Sequence, residues 1–238
     1  MSSPIWTADA LRSELGPWTG TAWRMVEAQH LVSTLKLVDT LEEQAVLEEV
    51  LERTKPALPP ECAHLDYLLA TPFRYGPYPA GSRFRRAGLT PGVLYGAEHG
   101  ATAAAEMAHY RMQFFREAPG VEGPKGAAQF TAFSFGVWTP LALDLTAAPL
   151  SRDRAAWTDP ENYAPCQDLA EQTRAAGGEV IFSQSVRDPA GRRNINVLTC
   201  GAIDPPAPLE RQSWQIQASA ARAFAICEHP RQRLAFGG

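Results

Sequence analysis

Between Thr71 and Arg86 the chain carries Arg74, Arg83, Arg85 and Arg86, interleaved with Phe73, Tyr75, Tyr78 and Phe84 and punctuated by glycine and proline. Guanidinium planes bind phosphate oxygens in pairs and stack on rings, so this stretch has the chemistry to hold a pyrophosphate or a nucleotide. The same residues could equally form an ordinary solvated loop. Further on, Tyr95 sits at the end of a short apolar run, and Glu106 interrupts an alanine-rich segment. On a helix Glu106 shares a face with Thr102, His109, Tyr110 and Gln113. A carboxylate there is simply solvated unless the face lines a cleft, where it can serve as an acid or as a stabiliser of developing positive charge. A third group lies in Ile181 to Pro189, where an apolar run ends in Ser183, Gln184 and Ser185. Ser185 can bond a ligand or shape a turn.

Several chemistries lack their motif. There is no G-x-S-x-G elbow for a hydrolase serine, no Walker loop and no G-x-G-x-x-G. The five histidines show no metal-ligand spacing, and no metal is expected. Cys62, Cys166, Cys200 and Cys227 are scattered without a CxxC pair, and reduced, mostly buried thiols are expected. With 26 acidic and 22 basic residues the formal net charge is −4, so no general attraction to nucleic acid or an anionic membrane follows. Met1 to Trp18 has neither a basic leader nor a continuous apolar run, and no stretch has the length of a membrane span. A cytoplasmic location is the expectation.

These residues need elements to position them. The 45% apolar content is that of a globular domain with an ordinary core. Residues 1–20 read as a loose lead-in and Trp23–Val26 as a short strand. Leu37–Arg53 is expected to be a helix, because Asp39 and Thr40 offer cap oxygens and Glu42 and Glu43 follow three residues after each. Lys55–Glu61 is proline-rich and reads as a linker, and short strands and loops are expected from Leu65. Arg74–Gly92 reads as a long ordered or functional loop. Gly92–Gly96 is expected as a buried strand, Thr102–Phe115 as a helix, and Gln129–Val137 and Leu141–Leu145 as two strands. A helix over Glu161–Ala176 stops at Gly177-Gly178. Strands follow at Val180–Val186, Ile195–Thr199, Trp214–Ala218 and Arg222–Cys227. Together they predict an α+β fold with a curved, mainly antiparallel sheet. Residues 1–60 form an N-terminal helical extension and 61–238 the main domain.

Taken in chain order, the arginine, tyrosine, glutamate and serine resemble the RES-domain family, toxins paired with Xre-type antitoxins. The resemblance rests on Gly81-Ser82-Arg83-Phe84, Val93-Leu94-Tyr95, Ala104-Ala105-Glu106 and Ser185-Val186-Arg187, over about Leu65 to Cys227. The eleven residues from Tyr95 to Glu106 fit the family. The twelve from Arg83 to Tyr95 exceed its usual spacing and leave Arg85 a rival. A second family arginine matches Arg74, with Arg24 as the alternative, and Asn194 or Asn196 matches a further polar position. The leading helical part resembles a longer subgroup typified by the ParT toxin.

The resemblance implies a fold like that of diphtheria-toxin-type ADP-ribosyltransferases, with NAD as substrate. It assigns Glu106, Tyr95 and Ser185 to catalysis, and Arg74, Arg83, Tyr95, Ser185 and Asn194 to binding NAD. ADP-ribose would pass to a protein acceptor, phosphoribosyl-pyrophosphate synthetase being the one the ParT subgroup implies, or to water or phosphate, draining NAD. The implied partner is an Xre- or ParS-type antitoxin. A non-catalytic domain whose arginine loop docks an acidic partner is the reading of a different class.

Overall fold

The computed structural model describes residues 6–28, 37–75, 79–88, 90–118, 120 and 126–237. Its centre is an eight-stranded mixed, mostly antiparallel sheet. The strands are β1 (Gly16–Glu27), β2 (Leu94–Ala97), β3 (Ala128–Asp144), β4 (Val180–Gln184), β5 (Arg193–Val197), β6 (Arg211–Ala218), β7 (Ala223–Cys227) and β8 (Gln232–Phe236). The order is β1-β2-β5-β4-β3-β6-β7-β8, with β1 also paired to β3. That extra pairing closes β1, β2, β5, β4 and β3 into a ring, and β6 to β8 extend from it.

The 17-residue β3 makes the ring possible. One edge pairs with β1 from Gly16↔Ala142 to Glu27↔Phe130. The other edge is shared: Ala128–Phe133 pair with β6, and Ala142–Asp144 run parallel to β4. Between them the segment after Cys200 crosses β3, bridging Ile203 to Val137. Gly136 permits the crossing, since a Cβ there would collide with the Asp204 carbonyl oxygen.

Six helices of four residues or more decorate the described chain: α1 (Ala8–Arg12), α2 (Leu41–Thr54), α3 (Tyr67–Arg74), α4 (Gly100–Glu117), the single turn α5 (Arg154–Trp157) and α6 (Ala164–Ala175). The alanine face of α4, with Ala101, Ala104, Ala105 and Ala108 buried, lets the helix axis approach the sheet closely. It packs near Met25, Phe130, Trp214 and Ile216. A second apolar cluster joins α3 to the ring through Leu69, Phe73, Phe133, Phe135 and Ile195. α2 begins at Thr40, whose hydroxyl accepts the Glu43 amide at 3.1 Å, while the Glu43 carboxylate accepts the Asp39 amide at 2.9 Å.

Several expectations are corrected. Residues 7–20 contain α1 and the first half of β1 instead of a loose lead-in; residues 1–5 lie outside the described residues. Because β1 pairs along its length with β3, residues 16–27 belong to the main sheet and not to a helical extension. Tyr67–Arg74 is helical where loops and strands were expected: Asp66 caps it at the Leu68 amide, 2.8 Å away, and Leu69, Ala70 and Phe73 bury one face. The two strands at 129–137 and 141–145 are one continuous strand, and β8 had no counterpart in the sequence reading. Of the 74–92 loop, residues 76–78 and 89 lie outside the described residues. Cys62 and Cys200 form a disulfide, with Cα atoms 5.4 Å apart, where reduced thiols were expected. Cys166 and Cys227 are buried free thiols. Among the described residues no helix is long and apolar enough to cross a membrane.

Candidate active site

β1, β2, β5 and α4 converge on a cleft of about 430 Å³ whose walls include Trp23, Arg24, Tyr95, Glu106, Tyr110 and Asn194. Pairing places these side chains together. Trp23 faces Ala97 across β1 and β2, and Tyr95 faces Asn196 across β2 and β5. Three residues after β2, α4 begins at Gly100 and carries Glu106 back over the same strands.

Glu106 is held through one oxygen. Its Oε1 accepts the Ser185 hydroxyl at 2.6 Å and the Asn194 amide at 2.7 Å. The direction of the first bond is fixed, because Ser185 Oγ itself accepts the backbone amides of Arg187 at 3.2 Å and Asp188 at 3.0 Å. With its lone pairs so engaged, the hydroxyl proton is directed to the carboxylate. Oε2 has no hydrogen-bond partner among the described residues and belongs to a cleft-lining side chain. The carboxylate is therefore oriented, with one oxygen left for a ligand.

Arg24 is the cation of the cleft. It donates from Nη1 to the Tyr95 carbonyl at 3.2 Å, has no carboxylate partner among the described residues, and leaves Nε buried without an acceptor. Burial pushes its pKa down to about 10, outweighing the opposite pull of Tyr95. Such an unneutralised guanidinium is suited to an anionic ligand. The Tyr95 phenol oxygen accepts the Phe84 amide at 3.1 Å and lies 2.7 Å from Ser82 Oγ. Burial raises the Tyr95 pKa against those two hydrogen bonds, so the neutral phenol is the working form. Among the described residues, no group of three or more His, Cys, Asp or Glu side chains could hold a metal ion.

The sequence pattern of the RES domain matches residues 58–219, more than half of the chain. The chain belongs to the RES-domain family. Among solved structures it is similar to a chain of the M. tuberculosis MbcT–MbcA toxin–antitoxin complex, with a TM-score of 0.50 and 15% identity over 88% of this chain and 91% of that one. At that identity the likeness is one of fold. No curated protein matches significantly.

In this RES-domain protein the site residues named from sequence divide into two groups. Tyr95, Glu106, Ser185 and Asn194 come together as described. Asn196 also lines the cleft, but its amide is committed to the Ile181 carbonyl at 2.8 Å and Ser183 Oγ at 3.1 Å. Arg74 does not line the cleft: its guanidinium pairs with Glu52 of α2 at 2.5 Å. Arg24, the alternative from sequence, occupies the cleft instead. Arg83 does not line the cleft either, although its neighbour Ser82 does; it donates to the Trp157 carbonyl at 2.9 Å and lies 4.6 Å from the centre of the Tyr163 ring. The same tyrosine accepts a long bond from Arg187 at 3.5 Å, and the Arg187 amide donates to Ser185 Oγ. Arg85 donates to the carbonyls of Tyr75 and Thr90, and Arg86 pairs with Asp168 and Glu171 of α6. Those two arginines pin the loop rather than line the cleft. Sequence reasoning left out Ser82, which lines the cleft, and Asp188, whose amide donates to Ser185; the proximity of Ser82 to Arg83 in the quoted motif was the one available signal.

Proposed function

We propose that this RES-domain protein binds NAD in the cleft and breaks the nicotinamide–ribose bond, acting as the toxin of a toxin–antitoxin pair. The observation that carries the reading is the oriented Glu106 carboxylate, one oxygen bonded to Ser185 and Asn194 and the other left for a ligand, in a cleft whose arginine has no carboxylate partner among the described residues.

As the C1′–N bond breaks, its electron pair leaves with nicotinamide and positive charge develops on the ribose. A fixed carboxylate at that position stabilises the charge in the transition state more than in the ground state. Oε2 of Glu106 would face the ribose, and Ser185 and Asn194 keep it from turning away. Arg24 would take the pyrophosphate, and Tyr95 would pack against the nicotinamide ribose. The acceptor attacks C1′ and loses its proton to solvent.

The family resemblance favours a protein acceptor, with phosphoribosyl-pyrophosphate synthetase as the first to test, and a fold allied to diphtheria-toxin-type ADP-ribosyltransferases. The likeness to a toxin crystallised with its antitoxin supports a protein partner, here an Xre-type antitoxin that blocks the cleft. The deciding experiment follows nicotinamide release from NAD by the wild type and by Glu106→Gln. Loss of release in the variant supports the assignment, and a wild type that leaves NAD intact refutes it. Labelled NAD in lysate then tells transfer from depletion: label on protein marks transfer, and free ADP-ribose or its phosphate marks depletion.

A further inference from the structure

Asp188 is almost wholly buried, with its side chain 2% exposed, and it is not part of the cleft wall. Its carboxylate nevertheless collects four donors. Oδ2 accepts the Thr102 hydroxyl at 2.7 Å and Arg192 Nε at 2.7 Å; Oδ1 accepts the Ala190 amide at 3.0 Å and Arg192 Nη2 at 3.1 Å. A buried carboxylate is costly unless neutralised and hydrogen-bonded, and this one is both. Burial raises its pKa, but Arg192, Thr102 and the amide outweigh burial and hold it below the usual carboxylate range.

We propose that Asp188 and Thr102 form a latch that positions Glu106 against Ser185. The inference rests on the reaction proposed above, for which both would be positioning residues. Thr102 and Glu106 stand four residues apart on α4 and share a face. Ser185 and Asp188 stand three apart on the turn that follows β4. The helix and the turn therefore meet at two points, Thr102–Asp188 and Glu106–Ser185. One contact would leave the helix free to roll about it, whereas two fix both roll and slide.

The latch also acts on the serine. With Arg192 and the Ala190 amide gathered on its carboxylate, Asp188 closes the turn, and Ser185 N donates to the Arg192 carbonyl at 2.9 Å across its base. Closure aims the amides of residues 187 and 188 at Ser185 Oγ, which sends the hydroxyl proton to Glu106. Asp188 thus acts on the reacting carboxylate only through other groups.

Thr102→Val removes the hydroxyl at nearly constant volume and leaves Asp188 its arginine and amide. Misplacing a catalytic group by about 1 Å can cost on the order of 100-fold in rate. Thr102→Val should therefore lower kcat for nicotinamide release about 10- to 100-fold with KM for NAD within about 3-fold, and Thr102→Ser should restore most of the rate. A valine variant with wild-type kcat overturns the latch and leaves the reaction standing. If the wild type itself releases no nicotinamide, the reaction is wrong, and the latch is judged by thermal unfolding of Thr102→Val, Ser185→Ala and the double variant. A latch makes the double variant lose less Tm than the two single losses summed, because the contacts depend on each other. Additive losses overturn it.

Discussion

The hydroxyl of Ser185 donates to Glu106 Oε1 at 2.6 Å across 79 residues of chain, and Asn194 donates to the same oxygen. The two donors turn an otherwise mobile side chain into a fixed charge. In this site the carboxylate would not have to find its position during the proposed reaction; the protein has already set it.

Replacing Glu106 with Gln keeps the shape and removes the charge. The amide would also place either an NH2 group or a neutral oxygen before the two donors. Nicotinamide release should fall on the order of 100- to 1000-fold, about 3–4 kcal/mol of transition-state stabilisation, with KM for NAD changing much less. Steady-state kinetics on the purified variant checks this.

Ser185→Ala should be milder, since Asn194 still bonds Oε1. A loss of about 10- to 100-fold in kcat is expected, and Asn194→Ala should behave alike. The double variant should lose less than the product of the two, because both act on one oxygen. Rates of all four proteins complete the cycle.

The arginines should separate cleanly. Arg24 carries an unneutralised charge in the cleft, so Arg24→Met should weaken NAD binding at least about 10-fold while leaving thermal stability equal or higher, since removing an unpaired buried cation relieves a desolvation cost. Arg74, on Glu52, should tolerate Arg74→Gln with affinity for NAD nearly unchanged. Calorimetric titration with NAD together with thermal melts distinguishes the two.

His109 has its pKa lowered to about 4 by burial, reinforced by Arg187 and Arg116, from an ordinary 6.5. Between those values the unfolded chain holds the proton and the folded one does not, so stability contributed by the neutral ring is complete above about pH 6.5 and is lost as pH falls toward 4. His109→Asn should flatten the pH dependence of stability over that window. Urea unfolding at a series of pH values reads it directly.

Gly136 lies under the Asp204 carbonyl at the point where β4 and β6 diverge from β3. Gly136→Ala should cost about 1–3 kcal/mol, the usual penalty of overpacking a well-filled core, and lower the urea midpoint. Gly16→Ala, with open space around its Cβ position, should not.

Local sequence specified most of the elements and pointed to Glu106, the carboxylate that the fold brings into the cleft. α2 was legible from the threonine cap and its glutamates, α4 from the spacing of its alanines, and the strands between Gly178 and Cys227, but not β8, from short apolar runs. Glu106, Tyr95 and Ser185 stood out as residues that could do chemistry, and the resemblance to the RES family joined them in order and added Asn194. Other features came from tertiary structure alone. β1 begins in a stretch rich in glycine and proline, and only its long partner β3 makes it a strand, since pairing and burial override weak propensity. No local pattern marks which arginine faces a cleft. Arg24, Arg74 and Arg83 look alike in sequence, and their fates depend on the carboxylates, carbonyls and rings that distant segments bring to them. The same holds for Asp188, whose importance lies in Thr102, 86 residues away, a contact that exists only once α4 has packed over the ring of strands.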